Sequence, residues 1–255
     1  MKKITIGIII LTLCNIVLAI TPAELKTLVA ASRKNPKENI SKLSEIAADT
    51  SLTITQKRTV YAALINGYYN LNDFKKCYEF SALQLKDEKL PDHLRYDALF
   101  LGGIAAGNSG DFKTGCEMLQ QAVHCTKNKN SKMSAMIQLV FLQVKLRSYT
   151  EAEETVKKAK EFAEEEDRSD WLARIAFTEA LLIEYSKGRK AWVEFAEKTV
   201  RDQELIQHSA TVLLCKNLLK YYVAANKRAE AEKLVEAVNQ ATNNKYASQF
   251  KGILK

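Results

Sequence analysis

The sequence predicts an all-α fold: a solenoid of about six antiparallel helical hairpins closed by a short C-terminal capping helix. Three observations carry that expectation. Apolar residues recur at helical spacing along nearly the whole chain beyond residue 20. A turn signature, Gly110-Asp111-Phe112, separates two such runs and is echoed at Asp73-Phe74 and Tyr149, and more loosely at Gly188 and Arg228. Phe74, Phe112 and Tyr149 stand 38 and 37 residues apart, a period that marks stacked helical hairpins. Gly and Pro together account for only 12 of 255 residues, under half the usual share, which leaves no long linker and no composition break for a second domain.

Residues 1–19 read as a secretory signal rather than as part of the fold. Lys2 and Lys3 supply the charged start, Ile4 to Leu13 the apolar run, and Val17-Leu18-Ala19 the small residues before a cut after Ala19. The expected location is therefore secreted or periplasmic, with a single helical-repeat domain over residues 20–255. Two alternatives stay open. Cys14 could carry a lipid, although Leu13 before it is a poor match for that processing. Residues 4–20 could also remain as an anchor, although 17 residues interrupted by Asn15 make a short span.

The helices follow in order. Thr21-Pro22-Ala23-Glu24 has the form of a capping box with proline where its missing N–H costs nothing. It opens a first hairpin that pairs Pro22–Lys34 with Lys37–Ala48 around Asn35-Pro36. The second pairs a helix through Tyr61, Leu64, Ile65 and Tyr68 with one through Cys77, Phe80, Ser81 and Leu85. Pro91 opens the third, which runs through Leu99, Gly103 and Ala106, turns at Gly110 and returns through Gly115, Leu119 and Ala122. The fourth holds Met136, Leu139, Val140 and Gln143, then Tyr149, Ala152, Val156 and Ala159. The fifth holds Trp171, Ile175, Ala176, Ala180 and Ile183, then Trp192 and Ala196. The sixth holds Cys215, Leu218, Leu219 and Tyr222, then Ala231, Leu234 and Val235. Tyr246, Phe250 and Ile253 form the stripe of a cap over the open end of the stack.

These hairpins resemble tetratricopeptide repeats (TPRs). The third fits best, through Leu99, Gly103, Gly110, Asp111, Phe112, Gly115, Leu119 and Ala122, and the fourth fits through Met136, Leu139, Tyr149, Ala152 and Ala159. Small residues let the two helices approach, and the aromatic fills the wedge beside the turn. The second and sixth hairpins fit in part, the first and fifth only as helical pairs. The spacing drifts from the family's 34 to 37–40 residues. The resemblance implies a right-handed solenoid whose first helices line a concave groove. The residues it places on that face are Tyr69, Phe100, Ile104, Ile137, Phe141, Phe177 and Leu181, with Lys216 and Lys220 as a basic pair at the far end. Of the family's clamp for a terminal carboxylate only Asn66 matches in type, so an apolar groove for a protein or peptide segment is the better expectation. The alternative is that a tightly wound stack buries these side chains.

Chemistry is not expected. The sequence has no HExxH, phosphate loop, GxSxG or CxxC. His93, His124 and His208 read as ordinary helix residues, and His124, Cys125 and Cys116 lack a fourth metal ligand. Glu164-Glu165-Glu166-Asp167 reads as a solvated helix end, with Ser169 capping the next helix. Four cysteines remain after the signal. One bridge, between Cys77 and Cys116 on return helices of neighbouring hairpins, is the pair to consider, against the reading that all four are small core residues. The net charge is +8, or +6 without Lys2 and Lys3. Lysines and glutamates interleave along every helix, which fits a solvated surface. A second function class stays open nonetheless: a peripheral envelope binder that holds anionic polymer or lipid on its basic surface. No enzyme activity, cofactor, metal or nucleic-acid partner is expected.

Overall fold

The computed structural model describes residues 20–250, Gly252 and Ile253. The predicted cut after Ala19, Cys14 and the apolar segment around it lie outside the described residues. Twelve α-helices run through the described chain as six hairpins: α1 (Pro22–Lys34) with α2 (Pro36–Ala47), α3 (Ile54–Asn70) with α4 (Phe74–Leu85), and α5 (Asp92–Asn108) with α6 (Phe112–Cys125). Then come α7 (Lys129–Leu146) with α8 (Tyr149–Glu165), α9 (Ser169–Lys187) with α10 (Arg189–Val200), and α11 (Ser209–Ala224) with α12 (Arg228–Ala241). From α3 to α9, each odd-numbered helix packs on its own partner, on the even helix before it, and on the odd helices either side. The odd helices thus form one continuous layer and the even helices a second.

The turn signature has a specific geometry. Asn72, Gly110, Arg147 and Asn226 take positive φ values of 58°, 92°, 63° and 55°. The next residue's N–H then reaches back five positions: Asp73 to Tyr68 O (2.9 Å), Asp111 to Ala106 O (2.9 Å), Ser148 to Gln143 O (2.9 Å) and Lys227 to Tyr222 O (2.8 Å). This closure satisfies the last carbonyls of the first helix. The Asp73 and Asp111 carboxylates then accept from the amides of Lys76 (3.2 Å) and Thr114 (3.1 Å), so one dipeptide ends a helix and caps the next. Phe74, Phe112 and Tyr149 are the first residues of α4, α6 and α8. Gly188 differs. Its φ of 85° and ψ of 176° leave the left-handed helical region, and its N–H bonds Glu184 O at 3.2 Å.

The N-terminal capping box forms as the sequence indicates, with Thr21 N–H donating to Glu24 Oε2 (2.9 Å) and Glu24 N–H to Thr21 Oγ1 (3.3 Å). A second box, Thr53 with Gln56, opens α3, and its Gln56 amide also donates to Ile20 O at 3.1 Å. Before α9 the cap position belongs to Arg168. Ser169 is the first helical residue and pairs its hydroxyl with His208 Nε2 at 3.0 Å.

Apolar clusters run the length of the stack between the layers. The third hairpin is the tightest. A Cβ built on Gly115 would lie 2.8 Å from Gly103 O and 2.6 Å from Leu142 Cδ1, and one on Gly107 would lie 2.5 Å from Leu142 Cδ2. Gly107 and Gly115 therefore form a socket for the side chain of Leu142 from the next hairpin. At the C-terminal end Tyr246 and Phe250 are buried in the last cluster, with Ile253 packed against it. The capping segment is a single 3-10 turn, Ala247–Gln249, rather than a full α-helix.

The bridge considered between Cys77 and Cys116 is not formed: both are free thiols, as are Cys125 and Cys215. Cys77 lies in the cluster built on the first three hairpins, its thiol 3.8 Å from Leu101 O, whereas Cys116 lies with Leu119, Leu139 and Leu142. Each packs toward an odd-numbered helix, which separates the two sulfurs. Burial pushes the Cys77 and Cys215 thiols up to about 12 and Cys116 up to about 11.

Candidate functional site

The odd-helix residues expected to line a groove divide into two groups. Four are used in packing. Tyr69 meets Phe74 edge-on with ring centroids 6.2 Å apart, and Phe100 stacks on Tyr96 at 5.4 Å. Ile104 packs against the Leu119–Leu139 cluster and Ile137 against the Met133–Met136 cluster. All four are half-buried. For them, neighbouring side chains within the first four hairpins supply the packing. Asn66 is exposed but turns its amide to Ala62 O at 2.9 Å. On the same face of α5, burial pushes the Asp97 carboxyl above its ordinary range, with His93 one turn earlier acting against that shift.

Of the remaining candidates Phe141 is accessible, while Phe177 and Leu181 are half-buried. Phe141 on α7 is 39% exposed and Tyr185 on α9 is 51% exposed. Lys145 lies between them, its ammonium 5.6 Å and 5.0 Å from the two ring centroids and 3.1 Å from the Tyr185 hydroxyl. The spacing explains the alignment. Ile137, Phe141 and Lys145 follow one another by four on α7, as Phe177, Leu181 and Tyr185 do on α9, so each set forms one stripe.

Beyond α9 the stripe opens into a cleft of about 440 Å³. Phe177 and Leu181 form one wall, Trp192 and Arg189 of α10 the base, and Leu214, Asn217, Lys220, Tyr221 and Ala224 of α11 the other wall. Tyr221 meets Trp192 edge-on at 6.1 Å, and the Arg189 guanidinium lies 5.0 Å from the Trp192 ring while pairing with Glu184 at 2.6 Å. Phe177, Leu181 and Lys220, singled out from the sequence, thus meet in one cleft. Lys216 sits one turn before Lys220 on α11, half-buried and outside the cleft lining.

Sequence reasoning missed Lys145, Tyr185, Arg189, Trp192 and Tyr221. Phe177 and Leu181 are four residues apart, and extending that spacing would have found Tyr185. Trp192 was read as core, which its 3% exposure bears out; its edge also floors the cleft. The histidine and cysteine group is dispersed, with His124 exposed, the Cys125 thiol turned to Ala122 O (3.6 Å) and Cys116 in the core.

No family model and no curated protein matches the chain. Among solved structures it is similar to a Rap protein complexed with competence and sporulation factor, at 11% identity and a TM-score of 0.54, covering 91% of this chain and 66% of that one. It is likewise similar to the apo form of RapI, at 10% identity and a TM-score of 0.57, covering 91% and 68%. The fold is a TPR-like helical solenoid. The chain spans about two thirds of each of those proteins' lengths. At such low identity the likeness speaks for architecture.

Proposed function

We propose that this protein is a TPR-like scaffold that binds a protein or peptide segment on its odd-helix face, between α7 and α11. The observation that carries the reading is the accessible apolar surface there: Phe141 and Tyr185 beside Lys145, continuing into the cleft walled by Phe177 and Leu181. A cleft of about 440 Å³ falls in the ~300–1,000 Å³ range of ligand pockets, and an apolar floor with a few polar groups is their usual lining. One structural neighbour was crystallised with competence and sporulation factor, which is in keeping with a scaffold of this architecture holding a partner. The concave groove read from the sequence is thereby narrowed to its C-terminal half.

We further propose that the scaffold works outside the cytoplasm after removal of residues 1–19. The capping box at Thr21 and the bond from Gln56 to Ile20 O support it, since the two residues that follow the predicted cut are already held in the fold. Mass spectrometry of the mature N-terminus tests this: Ile20 as first residue agrees with it, while a chain starting at Met1 or a lipidated Cys14 refutes it.

The binding surface is tested by selecting a displayed random-peptide library on the wild type and re-testing the selected peptides on Phe141→Glu and Leu181→Glu. Both variants should keep their helical circular dichroism. Each should lose most of the binding, because a charge facing a desolvated apolar contact costs on the order of 2 kcal/mol or more. Undiminished binding by both variants would refute the surface.

A further inference from the structure

The charges around the α9–α11 cleft are lopsided, and that asymmetry specifies an occupant. Among the described residues Arg174, Lys216 and Lys220 make no ion pair, whereas Glu184, the one acid lining the cleft, is engaged by Arg189 at 2.6 Å. Arg174 precedes Phe177 and Leu181 by three and seven positions on α9, which sets it on their stripe. Lys216 and Lys220 are one turn apart on α11, a like-charged pair that repels itself without a counter-ion. Of these three cations Lys220 lines the cleft, beside an apolar and aromatic surface of Leu181, Trp192, Leu214 and Tyr221. An apolar ligand alone would leave Lys220 without a counter-ion at the rim. An anionic ligand without an apolar part would leave the aromatic floor bare to water.

Resting on the scaffold reading above, we infer that this cleft takes a peptide segment carrying a carboxylate side chain next to a bulky apolar residue. The apolar side chain enters between Leu181 and Tyr221 and covers the Trp192 edge. The carboxylate meets Lys220 at the rim, with Arg174 and Lys216 adding to the positive potential along the approach. Opposite charge at an interface mainly steers encounter and fixes register, so the preference should be strongest at low ionic strength. Arg189 stays with Glu184 and serves as the fixed wall over Trp192.

The test uses the full described domain and three libraries of N-acetylated, C-amidated hexapeptides, each fixed at its two central positions as Asp-Phe, Asn-Phe or Lys-Phe. Blocking both ends removes terminal charges, so a carboxylate can come only from the side chain. Binding is read by Trp192 fluorescence and confirmed by calorimetry at low and physiological salt. The Asp-Phe library should bind at least about tenfold more tightly than the Asn-Phe library, with the gap shrinking as salt rises. Lys220→Glu should erase or invert that preference. Lys220 is exposed on α11 and its replacement should leave the fold intact, which circular dichroism checks. Equal binding of the Asp-Phe and Asn-Phe libraries, both lost in Leu181→Glu, would overturn the acidic preference and leave the scaffold reading standing. No binding by any library would overturn both. A concentration-dependent dimer abolished by Leu181→Glu would also overturn it, because a second copy would then be the occupant.

Discussion

Gly115→Ala should destabilise this protein even though alanine is the better helix former. On an exposed helix the change would gain about 0.8–1.0 kcal/mol of propensity. Here the new Cβ would lie 2.8 Å from Gly103 O and 2.6 Å from Leu142 Cδ1. The first contact is with backbone and falls roughly 0.7 Å short of an ordinary ~3.5 Å separation. The Leu142 tip can rotate away; the Gly103 carbonyl, bonded within α5, can move only if α5 and α6 part. Forcing an extra carbon into a packed core costs typically 1–3 kcal/mol. Set against the propensity gain, the net is a loss of up to about 2 kcal/mol. Urea unfolding followed by circular dichroism measures it. Leu142→Ala alone should cost roughly 2–5 kcal/mol by opening a cavity. In the double variant the two losses should fall short of their sum by about 0.5–1 kcal/mol, because only the Leu142 part of the clash is relieved. A Gly115→Ala protein more stable than wild type by the full propensity gain would refute the close approach of the two helices.

Three further outcomes follow from local geometry. Arg147 is exposed, with φ of 63°, in a turn that elsewhere uses Gly or Asn, so Arg147→Gly should raise stability by up to about 1 kcal/mol, read as an upward shift in melting temperature. The hydrogen bond from Arg58 Nε (2.6 Å) holds the Asp87 carboxyl below its ordinary range; its stabilisation is therefore present above the unfolded value of about 4 and lost as pH falls through the lower folded value. Asp87→Asn should flatten that part of the acid-unfolding curve and leave its slope above pH 6 unchanged. In a thiol assay at pH 8, Cys77, Cys116 and Cys215 should resist alkylation in the native protein, these three and Cys125 should react in denaturant without reductant, and any of the four released only by reductant would contradict the free-thiol state.

The order of helices was legible because the turns are made by residues whose chemistry is local. A left-handed residue followed by an aspartate needs nothing from the rest of the fold, so Asn72-Asp73 and Gly110-Asp111 announce themselves. Arg147 and Ser148 make the same turn with residues that carry no such signal, and only the 37-residue spacing from Phe112 to Tyr149 located them. The accessible face was less legible, because an aromatic on a first helix serves packing or display according to which side chains the fold brings against it. Phe100 and Phe141 read alike in sequence; Phe100 lies on Tyr96, while Phe141 reaches solvent. The cysteine pair misled for a related reason: equivalent positions in two hairpins are a repeat apart and face different core layers.

The cleft lies where the repeat is broken. At the fifth hairpin Gly188 abandons the turn geometry used at four other hairpins, which resets the path of α10. The chain between α10 and α11 then runs through residues 201–208, longer than any other connection between hairpins in the described chain. It contains the 3-10 turn Leu205–Gln207, whose Ile206 is 2% exposed and packs into the cluster shared by the last two hairpins. Ile206 thus fills the core of the last two hairpins, while on the odd-helix face Phe177 and Leu181 line a cleft together with Leu214 and Tyr221. The fifth hairpin, which with the first matches the repeat pattern least, is therefore also the one that borders the candidate site.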